Sequence, residues 1–241
     1  MPLALDLIGK GYKIHGSTTT QSKLSLLQSN GITPFVIDIG DKKIDISGFS
    51  SADVLVIAIP SKNIEGFKNL IVELEKSEIG KVLFVSSTSV YPDTNAVVTE
   101  ETETQNTPLA EIERLFLLNS NFKSTIVRFG GLFGYDRRPG NFIKPDRKMS
   151  NPEGYVNLIH RDDCIRIIEQ IIAQDIWNEV LNACADSHPT RREFYVREAG
   201  KLGKVNVTFD EESKNNYKVV SSNKLKETLN YEFKHADLMN Y

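Results

Sequence analysis

The segment KVLFVSSTSVYPD (81–93) begins with a run, KVLFVSST, that is apolar on both faces of an extended chain. A second run of this kind is DVLVIAIP (53–60), and the stretch between them, IEGFKNLIVELEKS (64–77), has apolar residues at helical spacing. Strands buried on both faces are typical of parallel sheets whose two surfaces are covered by helices. The order strand, helix, strand therefore predicts a doubly wound α/β fold.

The same alternation continues on both sides of this segment. Further predicted strands are YKIHGS (12–17), TPFVIDI (33–39), STIVRFGG (124–131), YVNLIH (155–160), EVLNAC (179–184) and KVNVTF (204–209). Further predicted helices are SKLSLLQSNG (22–31), PLAEIERLFLLN (108–119), DDCIRIIEQIIAQ (162–174) and SSNKLKETLNY (221–231). Thr190 and Glu193 have the spacing of a capping box, which predicts a helix after Thr190. After about residue 135 the pattern loosens, which predicts a smaller part beside the main sheet.

Composition excludes several functional classes. The chain has 241 residues and a formal net charge of −3, which gives no reason to expect a nucleic-acid partner. Its longest apolar run, VLVIAI (54–59), is far shorter than the roughly 20 residues of a membrane span, and no signal-peptide pattern is visible. Cys164 and Cys184 fall in predicted buried elements, so we expect free thiols and a cytoplasmic location. The four histidines show no metal-ligand spacing, and we predict no metal site.

Five segments in order resemble the signatures of extended short-chain dehydrogenases/reductases, the group of nucleotide-sugar epimerases and dehydratases. They are FVSSTSVYPD (84–93), VRFGGLFG (127–134), VNLIHRDDC (156–164), LNACADSHPTRREFY (181–195) and VSSNKLKETLNYEF (220–233). The resemblance implies a Rossmann-like region over residues 1–150 that binds a dinucleotide. Residues 151–241 would form an interleaved C-terminal region that completes the sheet and supplies a small α+β substrate-side lobe.

The first residues, MPLALDLIGKGYKIHGSTTT (1–20), are similar to the atypical YeeZ-like branch of this group. In that branch a strand and a glycine-rich turn stand before the corresponding helix, and the turn lets the backbone approach the cofactor phosphates. The resemblance implies that the central first strand is missing from this chain. We therefore expect Met1 to be an internal methionine or a fragment boundary.

The resemblance also implies a set of cofactor-binding residues. They are Ser17, Thr18, Lys23, Asp38, Ile39, Ala58, Ile59, Pro60 and Ser86. The strand that ends in Gly-Ser-Thr has no carboxylate for the ribose hydroxyl of NAD, and hydroxyls with Lys23 suit a 2′-phosphate. This favours NADP and leaves NAD open. A plain loop with hydroxyl caps is the alternative, and Asp38 is equally typical of a turn.

The implied catalytic residues are Ser87, which precedes the valine of the Val-Tyr pair by three positions, and Tyr91 as a stand-in acid. The family uses a Tyr-x-x-x-Lys pair, but none of the eight tyrosines has a lysine four residues later, and the corresponding positions hold Gln105 and Leu109. Simple strand-end and packing roles are the alternatives for Ser87 and Tyr91. On the substrate side the resemblance implies three residues, which are Arg128, His160 and Arg161.

Two functions are consistent with these residues, and a truncated remnant that binds nothing is a third, weaker alternative. The first is an NADP-dependent oxidoreductase or epimerase that acts on a small polar or sugar-nucleotide-like molecule, with no nucleic-acid or membrane partner. The second is a non-catalytic dinucleotide-binding sensor or structural module, which the missing Tyr-x-x-x-Lys pair favours. A homodimer is left open in both.

Overall fold

The computed structural model describes residues 1–41, 43–144, 146–203 and 207–241. The helices are α1 (Pro2–Gly9), α2 (Leu24–Ser29), α3 (Ile64–Leu74), α4 (Pro108–Leu117), α5 (Arg161–Ala173), α6 (Arg191–Lys201) and α7 (Asn223–Leu229). The strands are β1 (His15–Thr18), β2 (Thr33–Val36), β3 (Val54–Ile57), β4 (Lys81–Ser87), β5 (Ala96–Val98), β6 (Lys123–Phe129), β7 (Gly131–Phe133), β8 (Leu158–His160), β9 (Val180–Ala183) and β10 (Lys218–Val220). The predicted strand 204–209 begins on residues outside the described ranges.

Parallel pairing confirms the predicted α/β class. The largest sheet has the order β3-β4-β6-β9, and β1-β2, β7-β8 and β10-β5 form pairs of their own. The pairs β1 with β2, β3 with β4, β7 with β8, and β5 with β10 are all parallel. Within the described residues β1 pairs with β2 alone and β3 with β4 alone. The inference that a central strand, missing from this chain, belongs between them stays a prediction.

The chain divides into two compact units. Unit 1 consists of Met1–Ser86, Asn106–Ile126 and Ile168–Glu179, and unit 2 of Ser87–Gln105, Val127–Ile167 and Val180–Tyr241. Each unit therefore takes residues from both sides of the predicted boundary at residue 150.

The core of unit 1 is built on aromatic packing between β4, α3 and α4. The rings of Phe84 and Phe116 stack at 5.1 Å, and Phe67 meets Phe84 edge-on at 5.7 Å. All three side chains are fully buried. Asn63 caps helix α3, because its Oδ1 accepts a hydrogen bond from the N–H of Gly66. The buried residues of α3 include Phe67, Ile71 and Leu74 of its predicted apolar face.

Unit 2 has a separate apolar cluster around α6, β7 and β8. Its buried members include Phe133, Leu158, Phe194 and Leu238. The predicted capping box at the start of α6 is confirmed, because the Thr190 hydroxyl accepts from the Glu193 N–H while the Glu193 carboxylate accepts from the Thr190 N–H.

Two further observations bear on the sequence predictions. Cys164 and Cys184 are buried free thiols, as expected, and burial raises the pKa of Cys184 to about 12. No helix in the described part of the chain combines the length and the apolar character that a membrane span requires.

Candidate functional site

A cavity of about 260 Å³ lies in unit 1 where β1, β2 and β3 end. Its lining consists of Ser17, Thr19, Ile37, Asp38, Ile39, Gly40, Ile46, Phe49, Leu55, Val56, Ile57, Ile59, Ser61, Asn63 and Leu70. Most of these side chains are apolar, and a few polar groups lie among them. Ligands of open α/β sheets bind at the carboxyl ends of parallel strands, so the cavity stands where this fold places a ligand site.

Aromatic packing shapes one wall of this cavity. The ring of Phe35 lies 5.5 Å from that of Phe49 and 5.2 Å from the imidazole of His15. His15 Nδ1 is also 3.1 Å from the carbonyl oxygen of Phe49. These contacts hold the loop that contains Phe49, the one residue of the three that lines the cavity, against β1 and β2. The Asp38 carboxylate accepts a hydrogen bond of 2.8 Å from the N–H of Gly40, which holds the turn after β2.

The structure places some of the predicted cofactor residues on this cavity and others elsewhere. Four line it, which are Ser17, Asp38, Ile39 and Ile59. The five that do not line it are Thr18, Lys23, Ala58, Pro60 and Ser86. Ile46, Phe49 and Asn63 also line the cavity but were not predicted, because they come from a loop and a helix cap rather than from strand ends.

Two of these five residues have visible structural roles. The Thr18 hydroxyl accepts a hydrogen bond of 3.2 Å from the N–H of Thr20 and so holds the turn after β1. Ser86 is buried, and its hydroxyl donates to the carboxylate of Glu113 at 2.5 Å. Glu113 is itself only 2% exposed, so this bond satisfies part of a buried charge.

Ser87 serves as a cap in unit 2. Its Oγ accepts a hydrogen bond of 3.1 Å from the N–H of Ser89 at the start of the short 3₁₀ turn Thr88–Val90. The hydroxyl proton of Ser87 is not used by this bond. A serine in this state can still donate to an oxygen of a bound molecule.

Tyr91 has the contacts of a packing residue, which was the alternative to its predicted role as an acid. Its side chain is fully buried, its hydroxyl donates to Asn182 Oδ1 at 2.9 Å, and it accepts from the guanidinium of Arg128 at 2.6 Å. Burial raises the pKa of Tyr91 above its ordinary value, and Arg128 opposes this shift only in part. A hydroxyl with both partners in place and no solvent contact is not positioned to exchange a proton with a substrate.

Gln105, which the resemblance aligns with a catalytic tyrosine, has a structural contact too. Its side-chain amide donates to the carbonyl oxygen of Tyr91 at 2.8 Å. Its backbone N–H donates to the carbonyl oxygen of Val90 at 2.7 Å. Leu109, at the lysine position, carries no ionisable group. Neither Gln105 nor Leu109 can therefore take over the proton transfer of the Tyr-x-x-x-Lys pair.

The three predicted substrate-side residues have different surroundings in unit 2. Arg128 is 5% exposed and packs over the Tyr91 ring at 4.9 Å, and its substrate-side role stays a prediction. Arg161 stacks on the ring of Tyr135 at 3.7 Å. His160 is buried at the end of β8, and its Nε2 packs so closely on Gly134 that a Cβ there would collide with the ring.

Unit 2 has a cavity of its own, of about 280 Å³. Its lining consists of Phe133, Gly134, Tyr135, Arg138, Pro139, His160, Glu198, Lys201, Leu202 and Tyr241. The buried carboxylate of Glu198 accepts hydrogen bonds from the Tyr241 hydroxyl at 2.6 Å and the Arg197 guanidinium at 3.2 Å, and pairs with Lys201 at 2.8 Å. These contacts leave the carboxylate well compensated.

Parallel pairs, alternating helices and a cavity at the strand ends define a protein with the Rossmann-like fold. Over 98% of its length the chain is similar to Protein YeeZ of Escherichia coli K12, with 27% identity across 255 residues and 93% of YeeZ covered. No family model matches the chain. The resemblance to the YeeZ-like branch predicted from the sequence is confirmed.

Solved structures show the same fold at low identity. MoeE5, solved in complex with UDP-glucose and NAD, has a TM-score of 0.79 and 15% identity, covering 99% of this chain and 91% of MoeE5. A short-chain dehydrogenase/reductase superfamily protein from Agrobacterium tumefaciens, solved with bound NAD, has a TM-score of 0.74 and 16% identity, covering 97% of this chain and 88% of that protein.

Proposed function

We propose that the chain binds a nicotinamide dinucleotide through the cavity in unit 1 and acts as an oxidoreductase or epimerase on a small polar or sugar-nucleotide-like molecule. The observation that carries this proposal is the position of the cavity at the ends of β1, β2 and β3, with Ser17 and Asp38 in its lining. The bound NAD in two solved structures of the same fold supports it. The adenosine half of the cofactor suits the apolar walls and the few polar groups.

We propose NADP rather than NAD as the preferred form. Ser17 lines the cavity at the end of β1, where NAD-specific proteins of this fold carry a carboxylate that binds the ribose hydroxyls. A carboxylate there would repel a 2′-phosphate, whereas a hydroxyl can donate to it. Lys23 does not line the cavity, so the proposed preference for NADP rests on Ser17.

A titration of the protein with NADPH and with NADH, followed by cofactor fluorescence, tests both parts of this proposal. We expect tighter binding of NADPH. Ser17→Asp should lower the affinity ratio of NADPH to NADH by about tenfold or more, because one charged hydrogen bond contributes about 1.5–3 kcal/mol. Ser25→Asp adds the same charge on the exposed face of α2 and should leave the ratio unchanged. If the protein bound neither NADPH nor NADH, the proposal would be refuted.

For catalysis, the nicotinamide ring supplies hydride transfer when the cofactor is bound. Ser87 is the residue of this chain that we propose to orient a substrate oxygen, because its hydroxyl proton is not used by the cap on Ser89. The chain offers no Tyr-x-x-x-Lys acid. Turnover should therefore be slow, and its proton must come from another group or from water.

The alternative is a non-catalytic dinucleotide-binding module. The specific observation in its favour is that the side chains of Tyr91 and Gln105 both make structural hydrogen bonds. The Tyr91 hydroxyl donates to Asn182, and the Gln105 amide donates to the carbonyl oxygen of Tyr91. Incubation with NADPH and a panel of aldehydes or nucleotide sugars separates the two functions. Turnover that Ser87→Ala reduces at least tenfold, with cofactor affinity unchanged, supports the enzyme; NADPH binding without turnover supports the alternative.

A further inference from the structure

We propose that unit 2 contains a binding site for a divalent transition metal such as Zn²⁺, formed by His160, Asp162 and His235. His160 ends β8, Asp162 lies in the first turn of α5, and His235 comes after α7. The fold thus brings together a histidine and a carboxylate that are near neighbours in the chain with a histidine from its C-terminal region.

The distances suit a small cation. One potential ligand atom from each of the three residues lies within 4.8 Å of the other two. His160 Nδ1 is 3.8 Å from one oxygen of Asp162, and His235 Nε2 is 3.7 Å from the other. Tetrahedral zinc with bonds of about 2.0–2.1 Å to nitrogen and oxygen separates neighbouring ligand atoms by roughly 3.3 Å. Because the two measured distances run to different carboxylate oxygens and the whole set spans up to 4.8 Å, binding requires the three side chains to close by up to about 1.5 Å around one oxygen.

A second observation points to a ligand at the same place. His235 Nε2 is buried and has no hydrogen-bond partner among the described residues. Buried polar atoms are almost always paired, because an unpaired one loses its contact with water without compensation. A metal ion bound between Asp162 and His235 would provide the missing partner.

The orientation of His160 fits the same site. Its Nε2 packs on Gly134, so Nδ1 is the nitrogen that faces Asp162. Nδ1 accepts a hydrogen bond of 3.2 Å from the Asp162 N–H, which marks it as the unprotonated nitrogen of the ring. This is the form of imidazole that binds metals, and zinc would take the lone pair in place of the N–H.

Two groups already contact the Asp162 carboxylate and would respond differently to the metal. The Tyr135 hydroxyl donates to Oδ1 at 2.7 Å and can remain as a partner that orients the carboxylate. The Lys234 ammonium donates to Oδ2 at 2.7 Å and competes with a cation for that oxygen. Its side chain is 54% exposed and can move into solvent.

The donor set selects the kind of metal. Two imidazole nitrogens and one carboxylate suit Zn²⁺ and other divalent transition metals, whereas Mg²⁺ and Ca²⁺ prefer oxygen ligands alone. Three protein ligands leave a fourth tetrahedral position open.

Isothermal titration of chelator-treated protein with ZnCl₂ tests the site without any activity assay. We expect one equivalent to bind to the wild-type chain. Asp162→Asn and His235→Gln should each weaken binding at least tenfold. His188→Gln, which removes the histidine of unit 2 that lies outside the cluster, should leave the affinity unchanged.

Lys234→Met provides a test that misfolding cannot imitate. It removes the competing ammonium and keeps the aliphatic stem, so zinc affinity should rise roughly two- to fivefold, the range that corresponds to the strength of an exposed ion pair. Circular dichroism of each metal-free variant checks that it is folded. Absence of zinc binding by the wild-type chain, or equal affinity in folded His235→Gln, would overturn the proposal.

Discussion

Replacement of Tyr91 by phenylalanine should destabilise the protein and leave dinucleotide binding intact. The buried hydroxyl donates to Asn182 and accepts from Arg128, and the substitution removes both bonds. A neutral bond contributes about 1 kcal/mol and a bond to a charged group about 1.5–3 kcal/mol. Because the benzene ring remains and fills the same space, we expect a loss of about 2–4 kcal/mol in the free energy of unfolding, mostly from the Arg128 bond.

Thermal unfolding followed by circular dichroism measures this loss. In a chain of this size each kcal/mol lowers the Tm by about 2–4 °C, so the Tm of Tyr91→Phe should fall by about 4–16 °C. Tyr12→Phe, at a side chain that is 40% exposed, is the matched control and should move the Tm by less than about 1 °C. NADPH affinity should stay within twofold of wild type. An unchanged Tm together with loss of turnover would refute the structural role and restore Tyr91 as an acid.

Three further substitutions test other parts of the fold. Burial lowers the pKa of His188, so as the pH drops the unfolded state takes up the proton first. The stability of the protein should therefore fall below about pH 6.5. His188→Asn should flatten the dependence of Tm on pH between 5 and 8. Thr190→Ala removes the capping box with Glu193 and should cost about 1 kcal/mol in urea unfolding. Ser86→Ala leaves the buried Glu113 carboxylate with one donor fewer and should cost about 1.5–3 kcal/mol, whereas a loss below about 0.5 kcal/mol would show that water replaces the hydroxyl.

Much of the fold could be predicted because its signals are local. The runs 53–60 and 81–88 are apolar on both faces, and they form β3 and β4, which pair in parallel. The Thr190 and Glu193 spacing predicted the start of α6, because a capping box needs only residues three apart. The allocation of stretches to the two units was harder to predict, since it depends on contacts between residues far apart in the chain.

The cavity in unit 1 could be predicted only in part. Ser17 and Asp38 were found because they follow strands, and the carboxyl ends of parallel strands form ligand sites. Phe49 was missed because its place on the cavity depends on the loop after β2 folding back onto Phe35 and His15. No periodicity in the sequence reports such a contact.

The cluster of His160, Asp162 and His235 shows a different limit. Metal motifs are recognised by short spacings, and 75 positions separate the two histidines in the chain. One signal was present in the sequence, the His-x-Asp of residues 160–162, but that segment was already explained by its resemblance to a family signature. Only the tertiary structure brings His235 within 3.7 Å of Asp162.

Retention of the Ser-Ser-Thr-Ser-Val-Tyr signature does not by itself favour catalysis, because packing accounts for its main members. Ser87 caps a 3₁₀ turn, and the Tyr91 hydroxyl joins two buried side chains. The Tyr91 carbonyl oxygen accepts from both Gln105 and Lys218, the latter at 3.0 Å. A chain that had lost its chemistry would still keep these residues, since each substitution would remove a hydrogen bond that holds the fold. The residue that separates an enzyme from a binding module is therefore Ser87, whose hydroxyl proton has no part in the cap.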